Sequence, residues 1–322
     1  MHPYIPVPLP WGGTFRLASY GTSILVGFLL CLWLIQRRGR RMGIDPAALF
    51  DTATVVLLLG LVGARIFYVV DYWDDFSAQP LHVFYFWKGG LSFFGGLIGG
   101  TLTLLVCIRV KRLPLRPTLD VAAGLLPLGH AFGRIGCFLN GCCYGELTSS
   151  WIGLRFPRVM DAEGDIIGCP VFLDHLHRGL VTAADGRSLA VLPTQLYAAA
   201  YNFVIFAVLS WFLWRRRRAG EVAWLYLVLY GLARGTNEFF RGDTEPVAAL
   251  GGMTIFQAIA ATALAFGLAM FVRSRLLPAE PLPEPPPTAP LTQQQSTTKL
   301  ARRPSGGDTK NTKAKKRRQK RH

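Results

Sequence analysis

Seven stretches of the chain are apolar over the roughly 20 residues that a helix needs to cross a bilayer. They are Ser19–Ile35, Phe50–Tyr72, Leu91–Val110, Leu119–Phe138, Gln195–Trp214, Val222–Phe240 and Gly251–Val272. The first is uncharged, with no basic n-region ahead of it and no small-residue cleavage site behind it, and reads as a retained helix, not a signal peptide. The one substantial polar interruption is 141–194, of mixed polarity and too poor in apolar residues for a large core, which suggests a small lid or head between spans four and five. The pattern predicts an all-α polytopic membrane protein: a seven-span body over 1–272, with that loop region inserted.

Basic residues orient the spans. They cluster after span one (Arg37, Arg38, Arg40, Arg41), between spans three and four (Arg109, Lys111, Arg112, Arg116), between five and six (Arg215 to Arg218) and after seven (Arg273, Arg275). Cytoplasmic loops are enriched in Lys and Arg. Seven spans with the N-terminus outside and the C-terminus inside put all four clusters in the cytoplasm, and 141–194 outside.

Composition sharpens this picture. The chain is 51% hydrophobic and 17% charged, yet its net charge is +16. From Arg273 onward there are 13 Lys and Arg against 3 Asp and Glu. An apolar body with a basic tail excludes a secreted disulfide scaffold, a disordered protein and a soluble nucleic-acid-binding domain. Residues 273–322, Pro-rich and then basic, bury too little surface to fold. The expected partner of this tail is anionic membrane lipid; contact with RNA or ribosomes is the other reading, and no nucleic acid is expected as a main partner.

Arg65, Arg134 and Arg234 lie past the middle of spans two, four and six. An ionisable side chain at the centre of a span costs about 2.5–3.5 kcal/mol on insertion scales, which marks each as a functional candidate. Snorkelling to the outer interface is one explanation. The other is an anion pocket at shared depth, since Arg binds phosphate through two parallel hydrogen bonds and keeps its charge. A phosphate there would belong to a phospholipid headgroup. Glu238, four residues after Arg234, shares its helix face as an ion pair, and Arg241 follows.

Two local blocks stand out. The run Gly89-Gly90-Leu91-Ser92-Phe93-Phe94-Gly95-Gly96-Leu97-Ile98-Gly99-Gly100 suits close helix packing, and also close backbone approach to a ligand or a helix that begins late. Gly133-Arg134-Ile135-Gly136-Cys137-Phe138-Leu139-Asn140-Gly141-Cys142-Cys143 gathers an arginine, an asparagine and three cysteines at the outer mouth of span four. C-x4-C-C matches no zinc spacing, so no metal is expected. A disulfide from Cys169 to Cys142 or Cys143 and buried free thiols are both open.

With these blocks, Pro193-Thr194-Gln195-Leu196-Tyr197 and Tyr230-Gly231-Leu232-Ala233-Arg234 with Glu238-Phe239-Phe240-Arg241, the sequence resembles the prolipoprotein diacylglyceryl transferase family across residues 15–272. Tyr20-Gly21 and Gly63-Ala64-Arg65 fit as well. The resemblance implies a seven-span enzyme of the bacterial inner membrane that needs no cofactor. Such an enzyme moves an sn-1,2-diacylglyceryl group from phosphatidylglycerol to the lipobox cysteine of a prolipoprotein and releases glycerol-1-phosphate. It implies Arg134 and Arg234 as the residues that hold the phosphate. Tyr20, Asn140, Glu238 and Arg241, with Gly95 and Gly96, would line the phosphatidylglycerol site.

The chain departs from the family pattern at Phe94, where a histidine proposed as the base is common. It departs again at Leu192 and Ala198, which flank the Pro-Thr-Gln-Leu-Tyr motif, and at Cys137. His130, one turn before Arg134, is a candidate replacement base. A packed core histidine, and a mechanism that needs no side-chain base, are the alternatives. A homologue that binds phospholipid or precursor without chemistry, a transporter and a membrane thiol-redox protein are the rival functions.

Overall fold

A computed structural model describes residues 4–8, 12, 14–77, 79–85, 90–160, 164–241, 247 and 251–279. Gly89 and the tail from 280 lie outside them. The chain enters as an antiparallel hairpin, β1 (Tyr4–Pro8) and β2 (Thr14–Ala18), which runs directly into α1 (Ser19–Arg41). Next come α2 (Pro46–Asp71), α3 (Trp73–Ser77), a 3₁₀ turn (Pro80–Phe84) and α4 (Phe93–Val110). Then follow α5 (Leu115–Ala123), α6 (Leu126–Asn140), a head with the hairpin β3 (Val159–Met160) and β4 (Ile166–Gly168) and helix α7 (Pro170–His177), and finally α8 (Thr194–Leu213), α9 (Glu221–Glu238) and α10 (Ile255–Leu276).

Helix starts follow local chemistry. Asp45 caps α2 by accepting from Ala47 N at 3.0 Å, with Pro46 in the first turn, where its missing N–H costs nothing. Thr254 and Gln257 form a reciprocal capping box on α10.

This is an all-α polytopic membrane protein. Among the described residues six helical segments are long and apolar enough to cross a membrane: α1, α2, α4, the α5–α6 pair, α8 and α10. The apolar stretch Val222–Phe240 is helical too, as α9, but Glu221, Arg234 and Glu238 keep it out of that set. Protein covers 11% of the apolar windows of α1, α2 and α10, against 50% for α5–α6. The first three therefore turn most of their side chains to lipid, and α5–α6 runs through the middle.

The fourth apolar stretch is not one helix. It breaks at Gly124 and Leu125 and restarts at Leu126, with Pro127 in the first turn, which has no N–H to continue the ladder. The break is occupied: Arg38 of α1 donates to the Gly124 carbonyl at 3.0 Å and to Ser210 of α8 at 2.6 Å. Close by, buried Asp120 pairs with Arg216 at 3.1 Å and accepts from the N–H groups of Gly220, Val222 and Ala223, so it caps α9 from another helix. Glu221 pairs with Arg275 at 3.4 Å. These polar contacts surround an apolar cluster of Met42, Leu49, Val121, Leu209, Leu213 and Val222.

The glycine run packs helices. A Cβ on Gly95 of α4 would lie 2.3 Å from the Gly63 carbonyl of α2, and one on Gly63 would lie 2.6 Å from the Gly95 carbonyl. Only glycine lets the two backbones approach that closely. The head has its own small core, Tyr144, Phe156, Cys169, Val171 and Val191.

Candidate active site

The site forms where α6 ends. Gly141 stops the helix in the left-handed region at φ 80°, and Cys143 sits there as well at φ 57°, which costs a non-glycine residue about 1–2 kcal/mol. Neighbouring elements hold the resulting fold-back. Gln195 Nε2 donates to the Cys142 carbonyl at 2.9 Å and Thr194 Oγ1 to the Cys143 carbonyl at 3.0 Å, so the Pro-Thr-Gln start of α8 is a clamp on this turn. Gly145 bridges to Arg241, and Glu146 N donates to the Phe240 carbonyl at 3.2 Å. The segment after α9 is thereby fixed against the segment after α6.

Arg134 and His130 share a face of α6, as their spacing predicts, and Arg134 Nε donates to His130 Nε2 at 3.1 Å. That is the only side-chain hydrogen bond of Arg134 among the described residues, which leaves its terminal nitrogens for a ligand. Arg234 is buried and paired with Glu238, whose other oxygen accepts from Thr254 Oγ1 at 3.0 Å. Arg241 Nε lies 4.0 Å from the same carboxylate. One carboxylate thus serves two guanidiniums, and the cluster stays cationic. Tyr201 of α8 is within the field of Arg134, Arg234 and Arg241, and its buried hydroxyl has no hydrogen-bond partner among the described residues. The sequence reading missed Tyr201; its place one turn after Tyr197 of the clamp motif was the available signal.

Tyr20 enters from α1 and lies over Gly136, where a Cβ would come within 3.0 Å of its ring. It is near enough to Arg134 and to the three cysteines to interact with their charges. The side chain of Asn140 is a hydrogen-bond partner of Cys142. Gly95 and Gly96 have α2 residues as direct neighbours, Gly63 and Phe67 for the first and Ala64 for the second.

Arg65 does not join the other two arginines as an open anion binder. It donates to the carbonyls of His82, Val83 and Gly90 at 2.6–2.8 Å and lies over the rings of Tyr68 and Phe76. Its charge fastens the 3₁₀ turn and Gly90 to α2.

All six cysteines are free. Cys169 makes no disulfide; its thiol donates to the Asn140 carbonyl at 3.2 Å, and burial pushes it up to about 11. The sulfurs of Cys137, Cys142 and Cys143 lie within 4.8 Å of one another. The Cys143 thiol is held well below the usual range, first by the neighbouring thiols donating to it and then by Arg134 and Arg241.

The profile of the prolipoprotein diacylglyceryl transferase family matches residues 6–273. The chain belongs to this family. Among its relatives is the phosphatidylglycerol–prolipoprotein diacylglyceryl transferase of Xylella fastidiosa (strain 9a5c), 31% identical over 87% of this chain and 94% of that protein. The enzyme of the same name from Mannheimia succiniciproducens is 34% identical over 74% of this chain and 80% of its own length. Transferase 2 of Clostridium perfringens is 27% identical over 81% and 92%.

The departures from the family pattern have local structural explanations. Phe94 stacks on Phe256 at 6.0 Å, and the Arg234 guanidinium lies over the far partner of that stack, 4.8 Å from the Phe256 centroid. Leu192 uses its backbone to pair with Gly145 and Glu146. Ala198 is buried in α8, and its carbonyl accepts from Asn202 at 2.8 Å.

Proposed function

We infer that this chain, a transferase by family, moves a diacylglyceryl group from phosphatidylglycerol to the cysteine thiol of a bacterial prolipoprotein. The observation that carries this reading is the cationic cluster of Arg134, Arg234 and Arg241 beside a partnerless Tyr201 hydroxyl. It suits the phosphate of a lipid headgroup. The acceptor sulfur attacks the glyceryl carbon, the carbon–oxygen bond to phosphate breaks, and glycerol-1-phosphate leaves with one more negative charge than it had in the lipid. Preorganised donors in a low-dielectric site stabilise charge that develops there. Arg134, with its terminal nitrogens unclaimed, takes the phosphate with Arg234, while Tyr20, Asn140, Glu238 and Arg241 shape the pocket around it.

His130 acts here as the residue that orients Arg134. Its Nε2 lone pair accepts from Arg134, so service as a base would first require breaking that bond. Gly95 and Gly96 contribute by setting the α2–α4 distance.

In the membrane, α9 also crosses, as the sixth of seven spans. Its 18 residues span about 27 Å at 1.5 Å per residue, close to the roughly 30 Å hydrocarbon layer. Arg38, Arg216 and Arg275 gather at one end of the bundle with Asp120 and Glu221, which supports a common cytoplasmic side for the basic clusters, an N-terminus outside and a head facing out of the bacterial inner membrane. The lipobox segment of the precursor approaches from the head side, and the tail rests on anionic lipid. The test is reconstitution in vesicles of phosphatidylglycerol or phosphatidylethanolamine with a lipobox peptide. Peptide-dependent release of glycerol-1-phosphate from the first lipid alone supports the reading. Phosphatidylglycerol binding without release would make the chain a binding homologue.

A further inference from the structure

The reading above leaves the three cysteines of the fold-back without a task. Their spacing in sequence matches no metal motif, because what joins them is not spacing but the left-handed residues on either side of Cys142. Gly141 and Cys143 turn the chain back, so that Cys142 and Cys143 return to the last turn of α6 beside Cys137. Among the described residues this is the one group of three His, Cys, Asp or Glu side chains whose ligand atoms converge. A tetrahedral ion with bonds of about 2.3 Å to sulfur separates its sulfurs by about 3.8 Å. The three sulfurs, all within 4.8 Å of one another, already lie near that separation.

We propose that Cys137, Cys142 and Cys143 hold a Zn2+ ion as a three-sulfur site with its fourth position open. The charges suit it. Three thiolates and Zn2+ leave a net charge of −1, and Arg134 and Arg241 both act on the Cys143 sulfur. Cys169 does not complete the tetrahedron, since its thiol is bonded to the Asn140 carbonyl. An open fourth position beside bound protein thiolates marks reactive zinc sites, whereas closed sets of four mark structural ones.

A second element rests on the transferase reading. The fourth position takes the acceptor cysteine of the precursor, whose proton goes to solvent as its sulfur binds the metal as thiolate. That sulfur then forms its bond to the glyceryl carbon as the carbon–oxygen bond breaks. The electron pair leaves on the phosphate oxygen, and the neutral thioether, a poorer ligand, departs. This supplies the thiol activation for which Phe94 offers no group.

The test uses the full chain in detergent. After equilibration with Zn2+ and removal of excess, elemental analysis should give one zinc per chain. Co2+ in its place should give sulfur-to-cobalt charge-transfer bands. Both should vanish in Cys142→Ser/Cys143→Ser and persist in Cys31→Ser/Cys107→Ser. Should the first pair fail to fold, alkylation of Cys142 and Cys143 in the unaltered chain should be slowed at least about tenfold by Zn2+, a protection equivalent to about 1.4 kcal/mol. Substoichiometric zinc, no cobalt bands and unchanged alkylation would overturn the site. If zinc binds but its removal leaves peptide modification unchanged, the thiol-activating role falls and the site is structural. If no metal state modifies the peptide while zinc still binds, the transferase reading fails and the metal site stands.

Discussion

Replacing Arg134 by lysine keeps the charge and removes two other things. Arg134 anchors itself through Nε to His130 at 3.1 Å and offers two terminal nitrogens; lysine has no Nε donor and presents a point charge in place of a fork. One preorganised donor to developing charge is worth about 2.7–4 kcal/mol, or 10²–10³ in rate, and a hydrogen bond involving a charged group about 1.5–3 kcal/mol. Arg134→Lys should therefore lower kcat/KM by about 10², and Arg134→Ala by about 10³, mostly through kcat, because the contact tightens as charge builds on the leaving phosphate. His130→Ala frees the anchor and should cost about tenfold, or 1.4 kcal/mol, whereas His130→Gln restores an acceptor and most of the rate. The assay is initial velocity of peptide modification in phosphatidylglycerol vesicles, followed by mass. An Arg134→Lys enzyme within about threefold of the parent, or a His130→Gln enzyme as dead as Arg134→Ala, would refute the assignment, the second by making His130 a base.

Three further expectations concern the frame. Asp120→Ala strips the partner from buried Arg216 and the cap from α9; breaking a buried pair in this way costs about 3–5 kcal/mol, visible as a lower thermal-unfolding midpoint in detergent. Gly95→Ala forces a Cβ into the Gly63 carbonyl at 2.3 Å and should destabilise the α2–α4 pair by about 1–3 kcal/mol, while Gly133→Ala, with open space around it, should be neutral in the same scan. In the head, buried His175 accepts from Leu189 N at 3.3 Å, and burial holds its imidazole below the usual range. Its stabilisation is complete above the unfolded value of about 6.5 and fades as pH falls through it. Hydrogen-exchange protection in α7, after correction for the intrinsic slowing of exchange at lower pH, should fall between about pH 7.5 and 5, and unchanged protection would contradict the sign.

The helices were legible because their signal is a bare run of apolar residues: six of the predicted stretches each coincide with a single helix to within several residues, and the fourth with the α5–α6 pair. The break in the fourth was not, although Gly124 and Pro127 mark it in retrospect, since hydropathy is blind to whether a run is one rod or two. Spacing along a helix placed His130 with Arg134 and Glu238 with Arg234, because the i, i+4 relation is local. Non-local geometry was hidden. Arg65 has the same depth and residue type as the other arginines but takes backbone carbonyls from 82–90 as partners, and no sequence pattern encodes that loop's return. The cysteine trio was likewise invisible, since C-x4-C-C converges only once Gly141 and Cys143 adopt positive φ. Tyr201 looked like one more aromatic in an apolar span until its hydroxyl proved partnerless among three arginines.

The most direct measurement is the mass of a lipobox peptide after incubation with the purified chain and phosphatidylglycerol. The account predicts a diacylglyceryl increment on the cysteine, present with the parent chain and lost with Arg134→Ala. An unchanged peptide mass, with phosphatidylglycerol bound to the protein, would contradict it and leave a lipid-binding member of the family without its chemistry.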